Sequence, residues 1–150
     1  MQKKIKYILI ALIIWFMTTI KKPVSDQLTK NFHIDEFRSK DGAQTPEDVK
    51  QNLLELAQNL QVLRDYLDEP IYINSGYRSP AHNAAVKGVK GSKHLKGIAA
   101  DIRTKTYTPS ALAEMIEYLI EQGKMKQGGI GIYKSFVHYD IRGTKARWQV

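Results

Sequence analysis

The chain contains no cysteine. That excludes a disulfide framework, a thiolate zinc site and a cysteine nucleophile. It does not fix the compartment, because an exported chain of this size can fold without disulfides. No internal repeat or low-complexity segment is present, so a solenoid or a disordered tract is not expected. No apolar run reaches the roughly 20 residues of a spanning helix; the run "YILIALIIWFMTTI" covers only 7–20. Acidic residues are in the minority, 15 Asp and Glu against 23 Lys and Arg, for a formal charge of +8. A chain of 150 residues with 43% hydrophobic content is long enough to bury a core without covalent staples.

What is present begins at the N-terminus. Lys3, Lys4 and Lys6 precede the apolar run, and Lys21 and Lys22 follow it. A basic head before roughly 7–15 apolar residues is the pattern of a secretory signal. Residues 1–22 are therefore read as an export signal or signal-anchor, cleaved or retained. The protein is expected outside the cytoplasm, periplasmic or extracellular, with the membrane as a possible partner through that segment. Residues 23–31, polar and carrying Pro23, read as a linker. The domain is assigned to 32–150 and expected as a monomer. The charge suits an anionic partner, but no aromatic-basic array or recognition motif accompanies it, so nucleic acid is not expected.

Within the domain, "FHIDEFRSKDG" (32–42) reads as a docking segment pinned by Phe32, Ile34 and Phe37. Thr45-Pro46-Glu47-Asp48 is a helix start, with Thr45 as cap. Val49, Leu53, Leu56, Leu60, Leu63 and Leu67 recur at helical steps and predict an amphipathic helix to about residue 67. "PIYINSGYRSP" (70–80) reads as a strand ending in a turn, and Ser79-Pro80 opens a short helix. A glycine-rich loop (87–97), a strand (98–104) and a helix from Thr108-Pro109 to Gly123 follow. Two strands near 129–133 and 136–142 close the fold as a hairpin. The mixture predicts an α+β domain, a small antiparallel sheet flanked by helices.

The chemistry gathers in two segments. In "SFVHYDIRG" (135–143), strand alternation puts Val137, Tyr139 and Ile141 on one face and His138, Asp140 and Arg142 on the other. In "SKHLKGIAAD" (92–101), His94 sits in the loop and Asp101 ends an apolar run. Together His94, Asp101 and His138 make a two-histidine, one-carboxylate set. Such a set suits one Zn²⁺ and leaves a coordination position open for water; the same ligands also suit Fe²⁺.

"INSGYRSPAHN", "GSKHLKGIAADI" and "GGIGIYKSFVHYDIRG" together resemble the M15 family of zinc D,D-peptidases. The likeness is nearest to the compact branch of bacterial and phage murein peptidases, and more distant to the zinc fold of hedgehog signalling domains. It runs from about Phe32 to Trp148. The S-x-H-x-x-G-x-A-x-D pattern is met by Ser92, His94, Gly97, Ala99 and Asp101. The resemblance implies zinc at His94, Asp101 and His138. It implies cleavage next to D-amino acids in peptidoglycan peptides, as a D-Ala-D-Ala carboxypeptidase or a murein endopeptidase.

The remaining roles are read against that resemblance. Arg78 resembles the family arginine that faces the active site and binds a substrate carboxylate or an oxyanion; the alternative is a salt bridge bracing its turn. Ser75 and Tyr77 are read as shaping that turn, and Ser92 as support or a substrate contact. Many family members carry an acid three positions before the second histidine, where this chain has Ser135. Asp140 is then either the general base or an outer partner of the metal site, about 7 Å along the strand from His138. If it is only the latter, a non-catalytic, zinc-stabilised wall-binding module becomes the alternative function. His33 and His82 are read as structural. Lys87, Lys90, Lys93 and Lys96 recur every third residue, as a basic rim or as an ordinary solvated loop. Trp148 is read as stacking on a sugar ring or a loop.

Overall fold

The structure is a computed structural model and describes residues 23–150. The expected export segment, 1–22, lies outside the described residues. Among the described residues three helices and five strands follow one another. They are α1 (Glu47–Leu67), β1 (Tyr72–Ser75), α2 (Pro80–Ala85), β2 (Ala99–Arg103), α3 (Pro109–Glu121), β3 (Gly129–Ile132), β4 (Val137–Asp140) and β5 (Ala146–Gln149). Two 3₁₀ turns, Ile34–Phe37 and Lys93–Lys96, complete the set. The class is α+β, as the residue pattern predicts. No helix among the described residues is long and apolar enough to cross a membrane.

Helix α1 buries the stripe read from its spacing: Val49, Leu53, Leu56, Leu60, Leu63 and Leu67, with Ala57 beside them. Its start differs from expectation. The helix begins at Glu47 with Pro46 at the cap, and Thr45 makes no capping bond. The Thr45 hydroxyl is instead buried without a partner. Ser79 and Thr108 do cap, accepting from the N–H of His82 and Ala111. Gly123, at φ +67, ends the last helix in the left-handed region that favours glycine.

The sheet order is β1-β2-β4-β3-β5. Four strands pair antiparallel, but β5 runs parallel to β3, so the sheet is mixed rather than purely antiparallel. One face carries Ala100, Ile102, Ile130, Val137 and Tyr139, which join the stripes of α1 and α3 in one buried core. The expected linker, 23–31, is tied to the body: Leu28 is buried, and Gln27 bridges to His33. Phe32 and Phe37 pack edge to face, as a docking segment should.

Candidate metal centre

The site is assembled on the other sheet face, and strand register does most of the assembly. Ser75, Asp101, His138, Gly131 and Trp148 are cross-strand partners in one row spanning all five strands. A register irregularity between Ile73 and Ser75, with Asn74 the extra residue, brings Ser75 opposite Asp101. Asp101 and His138 are thus immediate neighbours. His94 arrives from outside the sheet, on the 3₁₀ turn that Gly97 terminates at φ +66.

His94 Nε2, His138 Nδ1 and Asp101 Oδ1 form a nearly equilateral triangle. Nε2–Nδ1 is 3.2 Å, Nε2–Oδ1 3.2 Å and Nδ1–Oδ1 3.0 Å. The second atom of each ligand is held elsewhere. His94 Nδ1 donates to the Gly76 carbonyl at 2.7 Å. His138 Nε2 donates to Asp140 Oδ2 at 3.0 Å. Asp101 Oδ2 accepts from Arg78 Nη2 at 2.7 Å. A carbonyl and an ionised carboxylate can only accept, so both imidazoles carry their proton on the far nitrogen. Three lone pairs then face one another across about 3 Å in a buried place. Such an arrangement requires a cation in the middle, either a proton or a metal.

The fit to a metal is good. Tetrahedral ligands at about 2.0 Å from zinc lie about 3.3 Å apart, within about 0.3 Å of the observed edges. The metal-free balance agrees. Where protons rather than a metal occupy the centre, burial pushes the Asp101 carboxyl up, but the hydrogen bonds then donated by His138 and His94 outweigh burial and hold it well below the usual carboxylate range. Burial pushes His138 down, yet the bonds to Asp101 and Asp140 outweigh it and raise the imidazole above its ordinary value.

Asp140 is fully buried. Its Oδ1 accepts from Gly129 N–H at 3.1 Å and from Arg142 Nε at 2.7 Å; its Oδ2 takes Arg142 Nη2 and His138. Burial pushes the carboxyl up, and the bonds from Arg142 and His138 bring it well below its ordinary range. Asp140 braces His138 from behind and does not line the cleft in front.

That cleft, of about 690 Å³, is lined by His94, Asp101 and His138 together with Arg78, Arg142 and Trp148. Arg78 braces its turn and lines the cleft: its Nε donates to Ser75 Oγ at 2.9 Å and its Nη2 pairs with Asp101. Ser92 lines the cleft, whereas Tyr77 is buried in the core, its N–H on Phe37 O. Ser135 sits exposed in the hairpin turn. His33 caps the first 3₁₀ turn. Among the described lining residues Asp101 is the only carboxylate.

The sequence reading passed over the alternating glycines of "GGIGI". A Cβ on Gly131 would stand 2.3 Å from the Trp148 ring, and one on Gly129 would stand 2.4 Å from Asp140 Oδ2. The missing side chain of Gly131 lets Trp148 lie over the row and approach His138, with ring centroids 5.1 Å apart, and that of Gly129 leaves room for the Asp140 carboxylate. Glycine at alternate strand positions is the signal that marks such an approach.

A family model for peptidase M15 matches residues 30–140, which include all three triangle residues, Arg78 and Asp140. The chain belongs to the peptidase M15 family. No curated protein matches it. M15 peptidases are zinc enzymes, and the buried triangle could hold a metal ion, which together support a metallopeptidase. Arg142, Trp148 and the fifth strand lie beyond the matched range of this M15 domain.

Proposed function

We propose that the protein is an exported zinc peptidase that hydrolyses bonds next to D-amino acids in peptidoglycan stem peptides or cross-links. The observation that carries the reading is the triangle of lone pairs, each ligand fixed from behind, at the wall of a cleft large enough for a peptide. Export rests on the basic-apolar pattern of residues 1–22, and the D-amino acid preference on the resemblance of the site motifs.

His94, Asp101 and His138 would hold the ion. Zinc supplies a Lewis acid and a water acidic enough to ionise near neutral pH. The chain's own groups do the rest. Asp140 fixes the tautomer and ring orientation of His138. Arg142 balances the Asp140 charge, as Arg78 balances that of Asp101, so the four groups sum to zero. A divalent ion then leaves the site doubly positive, which favours an anionic substrate. Arg78, bonded through Nε and Nη2, presents its Nη1 donors to a substrate carboxylate or to the developing oxyanion.

One observation favours a second reading. A positioned general base contributes about 10²–10⁴-fold, and the described cleft offers no carboxylate beyond Asp101. Slow turnover follows from the first reading; the second is a non-catalytic, zinc-stabilised module that binds cell wall. Mass spectrometry of muropeptides incubated with the full-length chain separates them. Zinc-dependent fragment release, lost with a chelator and in His94→Ala, is expected. Retention on sacculi without release of any fragment would replace the peptidase with the binding module.

A further inference from the structure

From Pro70 to Ala100 the chain contains no Asp or Glu. The same 31 residues carry Arg78, Lys87, Lys90, Lys93 and Lys96. The described residues hold 18 Lys and Arg against 15 Asp and Glu, so without this stretch they would be net −2. The positive charge of the described body is therefore concentrated in one acid-free segment, and that segment runs into the metal centre.

Among the described residues the loop lysines share with Lys40, Lys105, Lys124 and Lys134 the lack of an ion pair, which four other lysines have. Lys30, Lys50, Lys126 and Lys145 each reach a carboxylate. Lys87, Lys90, Lys93 and Lys96 make no ion pair among the described residues. Lys87 and Lys93 line the cleft. The nearest acid along the chain, Asp101, already serves Arg78 and the two histidines.

Nor is this an ordinary solvated loop. Asn83, 5% exposed, donates from Nδ2 to the carbonyls of Gly88 and Val89, both at 3.2 Å. Gly88 N–H returns to Asn83 O at 2.8 Å, and Ser92 N–H reaches Val89 O at 3.0 Å. Lys87 is held at φ +56. The pinned loop also exposes two apolar side chains, Val86 at 48% and Val89 at 73%. A rigid ledge of alternating valine and unpaired lysine has already met its ordering cost in folding.

We propose that residues 86–93 form a preorganised cationic ledge that binds the free carboxylates of an extended substrate strand running out of the metal cleft. The ledge makes the protein selective for strands bearing several carboxylates over the same strands with those groups amidated. The occupant is a carboxylate-bearing peptide, because the ledge opens into a cleft whose chemistry suits a peptide bond. The proposal rests on the peptidase reading for that occupant alone; the ledge itself stands on charge and geometry.

The test uses the zinc-loaded full-length chain and two fluorescently labelled peptides, hexaglutamate and hexaglutamine, read by anisotropy. The wild-type chain is expected to bind hexaglutamate about tenfold or more tightly over hexaglutamine, the size of a few exposed ion pairs acting together. The preference should fall with added salt. K87Q/K90Q/K93Q should abolish it and K87R/K90R/K93R should keep it. K40Q/K105Q/K124Q, an equal charge loss outside the ledge, should also keep it. An unchanged preference in the glutamine triple variant overturns the proposal. So does displacement of hexaglutamate by duplex DNA or phosphatidylserine vesicles at lower concentration, which would assign the ledge to nucleic acid or membrane. Cleavage of muropeptides is followed with the same preparations. Preference without cleavage sinks the peptidase reading and spares the ledge; cleavage without preference does the reverse.

Discussion

Strands β2 and β4 present two faces built from the same backbone and held by opposite physics. On one, Ala100, Ile102, Val137 and Tyr139 are sealed against the helices. Any side chain of similar volume and polarity serves there, because dispersion and burial are non-directional. On the other, Asp101, His138 and Asp140 are also buried, yet each polar atom is either hydrogen-bonded or turned to the shared cation position. One face is specified by volume and the other by hydrogen bonds. Both kinds of residue lie within four consecutive positions, Val137–Asp140. Stability and metal affinity are therefore separable in this molecule although they share strands.

The largest effect expected from breaking that separation is on the apolar side. Leu56 is fully buried in α1. Leu56→Ala should cost about 2–5 kcal/mol of stability through lost burial and the cavity left behind. Thermal melts with and without zinc should shift down together, leaving the zinc-induced rise in Tm intact. A shrunken zinc increment would mean that the two faces are coupled.

Asp140→Asn probes the other face. It keeps the volume but removes the charge that holds His138 Nε2–H and Arg142. Loss of such an outer partner lowers metal affinity by about 10–100-fold. Competition titration with a zinc chelator reads the change directly, and the zinc increment in Tm should shrink even where the metal-free Tm moves little. An unaltered zinc affinity would remove Asp140 from the positioning role.

Tyr139→Phe sharpens the comparison, since Tyr139 belongs to the volume face but carries one polar atom. Its hydroxyl donates to Lys126 O at 2.6 Å. Burial, with the Asp140 charge adding, pushes the phenol above its ordinary value, so it stays a donor. Losing that donor should cost about 1 kcal/mol in denaturant unfolding, with no change in zinc affinity.

The two faces were unequally legible in the sequence. The apolar face follows from periodicity, which needs only residue types at steps of two or 3.6. The ligands could be read because His138 and Asp140 alternate with apolar neighbours and because His94 and Asp101 sit in a motif. Their supports could not. The acceptor for His94 Nδ1 is the Gly76 carbonyl, and a backbone acceptor leaves no mark on residue choice. The fifth strand, "ARWQ", alternates apolar and polar residues, but so short a run is a weak signal, and its parallel pairing with β3, reached from β4 by a connection past β3, leaves no local mark. Thr45 misled because a capping residue type says nothing of whether the helix starts one residue later. In the expected linker, 23–31, Leu28 is buried and Val24 packs against the core, contacts that a polar composition does not announce.

Asp41 supplies the smallest expected effect and a control for the rest. It lies outside the cleft lining and links the N-terminal segment to the Ser75–Ser79 turn by accepting from Ser79 Oγ at 2.5 Å. Bonds from Ser79, then Ser39, then the Ala43 N–H lower its carboxyl from 3.8 to about 2. A folded-state value below the unfolded one means stability that is present above about pH 4 and disappears as the pH falls towards 2. Asp41→Asn should therefore be slightly less stable than the wild-type chain at pH 6, with the gap closing on acidification. Zinc affinity at pH 7 should be unchanged, because Asp41 touches neither the triangle nor its braces. Urea unfolding at pH 6, 4 and 2.5 tests the first statement and a chelator titration the second. A gap that widens with acid would mean that the carboxyl is not held ionised by those bonds. A change in zinc affinity would mean that the turn carrying Gly76 and Arg78 transmits strain from the N-terminal segment into the metal centre.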